Sequence, residues 1–223
     1  MCGRFSLSAT IEAIGQQFDI EKLPVLEPQY NITPSQNIAV VFYDNDNLLR
    51  KCEKFHWGLI PSWASFPKMS KKLINARSET VEEKPSFRSA FKYRRCLILA
   101  DGFYEWKNHE GEKQPFYFSL RHRRLFAIAG LWEKWKSPGG EEIRSCTILT
   151  TEANEILKPI HHRMPVILKP EYYNLWLNTE EHSPSVLKKL LSPYDPTEMS
   201  AYRVSKIVNN PRNNSLECIA PLN

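Results

Sequence analysis

Apolar residues recur at helical spacing in four short stretches of the chain. Ile11, Ile14 and Phe18 define the first stretch, because residues three and four positions apart share one face of a helix. The predicted helices cover residues 8–18, 152–157, 171–177 and 184–191. Residues 30–36, which include Pro34, are instead predicted to form a proline-ordered loop.

Between residues 38 and 150 the pattern changes to short runs of β-branched, aromatic and aliphatic residues. The predicted strands cover 38–43, 48–57, 97–106, 114–120, 125–132 and 144–150. Turn-forming clusters separate several of these runs: Asp44-Asn45-Asp46-Asn47, Glu110-Gly111 and Pro138-Gly139-Gly140. Because strands and helices do not alternate regularly, the pattern predicts an α+β fold with a mostly antiparallel, partly closed, barrel-like β-sheet flanked by helices.

Length and composition favour one domain over residues 1–223. A chain of 223 residues with 42% hydrophobic residues can bury a core without metals or disulfides. The five cysteines are widely spaced and form no C-x-x-C pair, which argues against a zinc site or a disulfide framework. No leader peptide and no apolar run long enough to span a bilayer is visible. We therefore expect a monomer of the reducing cytoplasm, nucleoid-associated if bacterial, with no membrane partner, metal or other cofactor.

The charge balance adds a weak indication of the partner. Thirty Lys and Arg against 25 Asp and Glu give a net charge of +5, which is compatible with a polyanion such as nucleic acid. The same excess is also typical of an ordinary solvated surface, so it decides nothing alone.

Cys2 is the first candidate for chemistry. Removal of Met1 leaves one residue with both a free α-amine and a thiol, whose reference pKa values are about 7.7–8.0 and about 8.5. The amine attacks an aldehyde to give a Schiff base, and the thiol on the adjacent carbon closes on the imine to give a thiazolidine ring. Arg4 is a cationic neighbour that is expected to lower the pKa of the thiol.

A series of short motifs runs through most of the chain in a fixed order. Each is unspecific alone, but the ordered set is specific. The motifs are Met1-Cys2-Gly3-Arg4-Phe5, Tyr30-Asn31-Ile32 with Pro34 and Gln36, Trp57-Gly58-Leu59-Ile60-Pro61 with Trp63, Asn75-Ala76-Arg77-Ser78-Glu79-Thr80, Arg95-Cys96 leading into Asp101-Gly102-Phe103-Tyr104-Glu105-Trp106, and His161-His162-Arg163-Met164-Pro165. Over about residues 2 to 210 the chain resembles the SRAP family, named for an SOS-response-associated peptidase and also described as abasic-site processing proteins.

The resemblance implies a substrate and a set of active-site residues. The processed cysteine of the family forms a thiazolidine crosslink with the ring-opened sugar of an abasic site in single-stranded DNA, which shields the lesion from strand cleavage. By motif position the catalytic residues fall on Cys2, Asn75, Glu105 and His161. The implied partner is single-stranded DNA that contains abasic sites.

The chemistry of these side chains suits such roles. The Asn75 amide can both donate and accept, and Glu105 among large aromatics is expected to have a raised pKa and to shuttle protons, unless strand alternation turns it outward. His161 can exchange protons near neutral pH. The neighbouring His162 makes the choice between the two histidines less secure.

Two further groups of residues are candidates for contacts with DNA. Arg4, Arg77 and Arg163 are predicted to bind phosphates, because a guanidinium matches phosphate oxygens in a bidentate manner. Trp57, Trp63 and Phe66 are predicted to stack on unpaired bases; an ordinary core position is about equally compatible with Trp57. The other four cysteines are expected to be small core residues.

Four other functions compete with covalent capture. An N-terminal-nucleophile amidotransferase would use Cys2 against an amide, but the continuation Arg4-Phe5 and the lack of glycine-rich partner loops argue against it. An N-terminal cysteine peptidase or autoprotease would use Cys2, Glu105 and His161 as a hydrolytic triad. A non-covalent single-stranded DNA-binding module would need only the aromatics and arginines. A lyase side reaction would follow from the Schiff base.

Overall fold

The computed structural model describes residues 2–44, 49–109, 111–122, 125–180 and 183–222. In this part of the chain the elements are short and mostly extended. The strands are β1 (Phe5–Leu7), β2 (Gln29–Ile32), β3 (Asn37–Asp44), β4 (Leu49–Trp57), β5 (Asn75–Arg77), β6 (Arg95–Ala100), β7 (Gly102–His109), β8 (Glu112–Leu120), β9 (Phe126–Lys136), β10 (Glu142–Glu152), β11 (Arg163–Pro165), β12 (Ile167–Leu168) and β13 (Met199–Arg203). The α-helices are α1 (Ile11–Phe18), α2 (Arg88–Tyr93), α3 (Tyr173–Leu177) and α4 (Pro184–Lys189).

Five strands close into a barrel in the order β10-β4-β3-β6-β9, with β9 returning to β10. Gly130 of β9 lies opposite Cys96 on one side and Ile148 on the other, so β9 has hydrogen-bonded neighbours at both edges. The β4–β10 pair is parallel, and the other four pairs of the barrel are antiparallel. Closure leaves these strands without a free edge, and the apolar side chains between them are buried. The predicted α+β class with a mostly antiparallel, barrel-like sheet is confirmed.

A second sheet of five antiparallel strands lies beside the barrel in the order β13-β8-β7-β1-β2. The chain passes from the barrel to this sheet between β6 and β7, so the single strand predicted over 97–106 is two strands in different sheets. Asp101 occupies the junction. Its Oδ1 accepts a hydrogen bond from Ser6 Oγ at 2.5 Å, and its Oδ2 accepts from Ser8 N at 2.5 Å and Ser8 Oγ at 2.7 Å.

The predicted helices are confirmed in three of four stretches. The first begins at Ile11, because Thr10 Oγ1 caps it by accepting from Ala13 N at 3.3 Å. The helix predicted over 152–157 is wrong: Glu152 ends β10, and the following residues form turns held by the Asn154 carbonyl. Helix α2 was not predicted.

Some predicted loops fall partly on residues without a description. The turn positions 45–47 and Glu110 lie outside the described residues. The loop predicted over 30–36 overlaps β2, and only the turn from Thr33 to Gln36 is irregular. Among the described residues no helix is both long and apolar enough to cross a bilayer.

Gly102→Ala is expected to destabilise the junction between the two sheets. A β-carbon at this position would lie 2.1 Å from Cζ and from the hydroxyl oxygen of Tyr117, which is itself buried and hydrogen-bonded to Ser6. We expect the free energy of unfolding, measured by urea denaturation, to fall by about 1–3 kcal/mol or more. Gly139→Ala is the control, since its nearest atom is 3.7 Å away, and it should change the value by less than about 0.5 kcal/mol. Equal midpoints for both variants would contradict the close packing of Tyr117.

Candidate active site

Cys2 lies just before β1 and is fully buried. Its carbonyl oxygen accepts a hydrogen bond of 3.0 Å from Asn75 Nδ2. Asn75 is the first residue of β5 and pairs with Ile148 of the barrel strand β10. The start of the chain is therefore fastened to the barrel by the asparagine that the sequence motif singled out.

Glu105 approaches the same point from the second sheet. Strands β1 and β7 pair with Phe5 opposite Phe103, and Tyr104 N donates to Arg4 O at 2.9 Å. Continuing this register places Glu105 opposite Gly3, next to Cys2. Glu105 is 4% exposed, so the alternative of an outward-facing strand residue is wrong.

Burial sets the protonation of both groups. It raises the pKa of Glu105 to about 7, because a carboxylate loses its hydration there. Burial also raises the pKa of the Cys2 thiol well above its ordinary value, and the charge of Glu105 acts in the same direction. The expectation that the Arg4 guanidinium lowers this pKa is wrong: Arg4 contributes only a backbone hydrogen bond, whose effect is smaller than that of burial. At neutral pH the buried sulfur is a thiol.

The oxygen atom of the Asn75 side-chain amide has an unusual environment. Asn75 Oδ1 is buried and accepts no hydrogen bond from any residue in the described part of the chain. A buried carbonyl oxygen without a donor is costly and is normally satisfied by protein, water or ligand. Since Asn75 Nδ2 is bonded to Cys2, this acceptor lies within one side chain's length of the candidate nucleophile.

His161 precedes β11, which pairs with the last residues of β10, where Arg163 lies opposite Glu152. Its Nδ1 is 3.0 Å from the Arg163 backbone nitrogen, and burial lowers the pKa of its imidazole. The His162 ring stacks on it at 4.5 Å but is exposed. The structure therefore distinguishes the two histidines: His161 is the partly buried, oriented one.

The three predicted phosphate-binding arginines have different environments. Arg77 is exposed, at the end of β5. Arg163 is 7% exposed, and its Nη1 and Nη2 donate to Glu79 at 2.7 and 2.9 Å, so its guanidinium is bound to a carboxylate here and its contact with a phosphate stays a prediction. Arg4 is half-buried and donates to Asn31 Oδ1 at 2.6 Å and Val208 O at 2.7 Å, so it too takes part in an internal hydrogen-bond network, and its contact with a phosphate stays a prediction.

The predicted aromatic contacts also separate into two groups. Trp57 is fully buried and donates from Nε1 to Ile74 O at 3.0 Å, so its prediction as a base-stacking residue is wrong. Trp63 and Phe66 are 59% and 71% exposed and belong to the segment between β4 and β5. They are available for stacking on a ligand next to the strand that carries Asn75.

Asn31 is a residue whose importance the sequence reasoning missed. Its Oδ1 accepts from Arg4, and its Nδ2 lies 2.7 to 3.2 Å from the carbonyl oxygens of Val208, Asn210 and Asn213. This buried amide links β2 to the C-terminal segment behind the site. The motif Tyr30-Asn31-Ile32 was a signal for it, but nothing local indicates partners about 180 residues away.

Within the described ranges, no group of three or more His, Cys, Asp or Glu side chains is arranged to hold a metal ion. The polar groups near Cys2 are the Asn75 amide and the Glu105 carboxyl. The His161 imidazole lies near the end of β10, the barrel strand with which Asn75 pairs. These groups can bind an amine or a hydroxyl and move protons between them.

The fold has counterparts among known protein structures. A crystal structure of a protein from Bacteroides thetaiotaomicron superimposes with a TM-score of 0.90 at 27% identity, covering 99% of this chain and 100% of that one. A second, from Bordetella bronchiseptica, has a TM-score of 0.80 at 27% identity, covering 92% and 100%.

Curated relatives extend the comparison to sequence. "Abasic site processing protein YoqW" of Bacillus subtilis is 48% identical and covers 98% of this chain and 99% of its own length. "Abasic site processing protein HMCES" of Xenopus tropicalis is 36% identical and covers 88% of this chain and 67% of its own length. The family described as "SOS response associated peptidase (SRAP)" matches residues 1–211. The predicted resemblance is confirmed, and the chain belongs to the SRAP family.

Proposed function

We propose that this chain processes abasic sites in single-stranded DNA by covalent capture. Once Met1 is removed, the Cys2 amine and thiol together close a thiazolidine ring on the aldehyde of the opened sugar. The observation that carries the proposal is the placement of Cys2: its carbonyl is held by Asn75, and Glu105, whose burial gives it a pKa of about 7, lies next to it. The curated relatives named for abasic-site processing support the substrate.

The protonation of Cys2 sets the order of the two bond-forming steps. Burial raises the pKa of the thiol, so the sulfur is a poor nucleophile until a base takes its proton. The α-amine has a reference pKa of about 7.7–8.0 and is partly unprotonated at neutral pH. The amine therefore attacks the aldehyde carbon first, and the thiol adds second.

Glu105 accepts and returns the protons that move in both bond-forming steps. Its carboxylate accepts a proton from the attacking nitrogen while solvent protonates the carbonyl oxygen, and the resulting carboxylic acid then protonates the carbinolamine hydroxyl, which leaves as water. The regenerated carboxylate takes the thiol proton while sulfur bonds to the iminium carbon, and it returns that proton to solvent. The net reaction joins one aldehyde to one aminothiol and releases one water.

Asn75 and His161 have supporting roles. Asn75 Nδ2 fixes the Cys2 carbonyl, and the buried Oδ1 accepts a hydrogen bond from the new amine or from a hydroxyl of the opened sugar. A neutral His161 can donate to the sugar oxygen during ring opening. Since Cys2, Asn75, Glu105 and His161 belong to one chain, a monomer is sufficient for the chemistry.

The exposed residues beside the site suit a flexible, unpaired strand. Arg77 follows Asn75 by two positions and is exposed, which suits it to a phosphate. Trp63 and Phe66 are exposed aromatics, and base stacking on such rings tolerates any sequence, as a lesion reader requires. Lys71 and Lys72, exposed on the same segment, add positive charge near the proposed strand.

Two reactions compete with ring closure. A peptidase would need the Cys2 thiolate, which burial disfavours, although the family description keeps the possibility open. Loss of Met1 from the purified protein alone would favour self-cleavage over removal by a methionine aminopeptidase. A lyase would use the Schiff base to eliminate the 3′ phosphate. We expect thiazolidine closure to be faster than this elimination.

Substitution of Cys2 separates covalent capture from simple binding. With a single-stranded oligonucleotide that carries one abasic site, Met1-free wild type should give a band shift that resists heat and detergent. Cys2→Ala should give no stable shift but keep salt-sensitive binding. Cys2→Ser, like Cys2→Ala, keeps the α-amine and should give a stable shift only when a borohydride reduces the imine. Cys52→Ala, on the buried side of β4, is the control and should crosslink like wild type.

No shift for wild type with confirmed loss of Met1 would reject covalent capture and leave the non-covalent module. A stable shift for Cys2→Ala without borohydride would assign the bond to another residue. Strand scission as the main wild-type outcome under mild conditions would make the lyase the principal activity.

Glu105→Gln is expected to remove the pH dependence that ionisation of Glu105 gives to the rate of capture. Because the carboxylate is the form that begins the cycle, the wild-type single-turnover rate should rise with pH through about 7. The variant should lose the part of this rise near pH 7, keep the rise that deprotonation of the α-amine gives at about 7.7–8.0, and be slower by a factor of about 10² to 10⁴. Rapid quench over pH 5.5–8.5 measures both, and an unchanged pH profile would remove Glu105 from the proton transfers.

The same variant should change the dependence of stability on pH. Burial raises the pKa of Glu105 to about 7, above its value in the unfolded chain, so its contribution to stability is fully present below about pH 4.5 and is lost as pH rises through about 7. Glu105→Gln cannot ionise, so the unfolding midpoint of the variant should rise relative to that of wild type as pH increases from about 4.5 to about 7. Parallel curves for the two proteins would contradict the raised pKa.

A further inference from the structure

The buried guanidinium of Arg163 donates four hydrogen bonds, to Glu79 and to Thr150, that the proposed chemistry does not use directly. Nη1 and Nη2 donate to the two carboxylate oxygens of Glu79 at 2.7 and 2.9 Å, and Nη2 also donates to Thr150 O at 2.6 Å. The Arg163 side chain is 9% exposed and that of Glu79 is 44% exposed. A bidentate pair of this kind fixes both the position and the plane of the guanidinium.

The backbone of the same arginine holds the ring of His161. Arg163 N lies 3.0 Å and Arg163 O 3.2 Å from His161 Nδ1. When the imidazole is neutral, Nδ1 can accept from the Arg163 N–H, which puts the ring proton on Nε2. When the imidazole is protonated, Nδ1–H can donate to the Arg163 carbonyl. One residue thus supports the ring in both protonation states without a change of orientation.

Arg163 lies at the end of the β10–β11 ladder, opposite Glu152, and the hydrogen bonds of its side chain add to the pairing that fixes its position. It is the first residue of β11, a strand of three residues, and the segment before it runs through turns. Glu79, by contrast, follows a segment fastened to the barrel, because Ser78 N donates to Thr150 O at 2.9 Å. Through the Glu79 carboxylate, the start of β11 is therefore held in a fixed position relative to the barrel.

We propose that Glu79 is a positioning residue for His161: its carboxylate fixes Arg163, and the Arg163 backbone fixes the imidazole with Nε2 protonated in the neutral ring. The inference rests on the proposed function for its catalytic meaning, because it assigns the orientation of a group used in ring opening. The geometry on which it stands is independent of that function.

The charge state of the pair suits this role. Although burial acts in the opposite direction, the hydrogen bonds and the charge of Arg163 lower the pKa of Glu79, so the carboxylate stays ionised at neutral pH. The charged or titratable groups described beside His161 include the stacked His162 and Arg163 itself. Glu79→Gln removes the charge and one of the two acceptors while leaving the shape of the side chain.

Glu82→Gln is the matched control. Glu82 lies three residues later in the same stretch and forms an ion pair with Lys188, so this variant removes an equal charge and an equal type of contact. It leaves the connection from Glu79 to His161 intact.

The first measurement is the tautomer of His161, read from long-range proton–nitrogen NMR spectra of the six histidines and assigned with His161→Gln. Wild type and Glu82→Gln should show Nε2–H in the neutral ring. Glu79→Gln should show a mixture of the two tautomers. The same Nε2–H signature in Glu79→Gln would overturn the proposal, whether or not the protein crosslinks DNA.

The second measurement is the single-turnover rate of crosslinking with the abasic oligonucleotide, beside the dissociation constant for an oligonucleotide with a non-reactive tetrahydrofuran site. Glu79→Gln should slow the rate about tenfold with the dissociation constant unchanged, because a small misplacement of a catalytic group lowers the rate of the chemical step. An equal loss in Glu82→Gln, or a loss confined to binding, would contradict positioning.

Urea denaturation shows whether each variant is folded before these comparisons. If Glu79→Gln does not fold, Glu79→Asp, which keeps the charge on a shorter side chain, takes its place. It should shift the tautomer and the rate in the same direction by a smaller amount, and wild-type values for both would reject the proposal. Failure of wild type to crosslink would reject the proposed function and leave the tautomer result to decide the positioning.

Discussion

The fastening of the first residues of the chain between the barrel and the second sheet is the constraint on which the site depends. Asp101 accepts three hydrogen bonds from Ser6 and Ser8, and Asn75 donates to the Cys2 carbonyl. A chain terminus is ordinarily the least ordered part of a domain. Here Cys2, which carries the proposed nucleophiles, is held by the Asn75 amide, and Ser6 and Ser8 behind it are held by Asp101.

The same arrangement lowers the stability of the fold, because it buries polar groups. Glu105 and the Cys2 thiol are both buried, and the charge of Glu105 makes ionisation of the thiol less favourable. An interior selected for stability alone would contain apolar residues of similar volume at these positions. The polar groups are retained where their protonation has a use, which is the usual pattern at active sites.

Some arginines near the site bind groups of the protein itself, whereas others face the solvent. Arg4 and Arg163 satisfy carbonyl and carboxylate oxygens inside the protein, whereas Arg77 is exposed. Internal arginines of this kind set the geometry of neighbouring groups and are poor indicators of a binding surface. The net charge of +5 therefore overstates the charge that is organised around the site.

Much of the fold could be predicted from local patterns. The runs that became β3, β4, β8, β9 and β10 were visible as β-prone segments, since alternation and turn clusters act over a few residues. The break at Asp101 was not visible, because the apolar run continues through it and only the presence of two sheets divides it. The helix predicted after residue 151 failed because β10 extends to Glu152, and pairing with β11 outweighs local propensity.

The sequence by itself determined the ordered motifs, and with them the family and the aminothiol chemistry available at Cys2. Only the tertiary structure decided the environment of each group. It buried Trp57, turned Glu105 inward, joined Arg163 to a glutamate 84 positions away, and set the raised pKa values of Glu105 and the Cys2 thiol. Periodicity describes neighbours along the chain, whereas burial and pairing depend on which distant segments meet, and no local pattern contains that information.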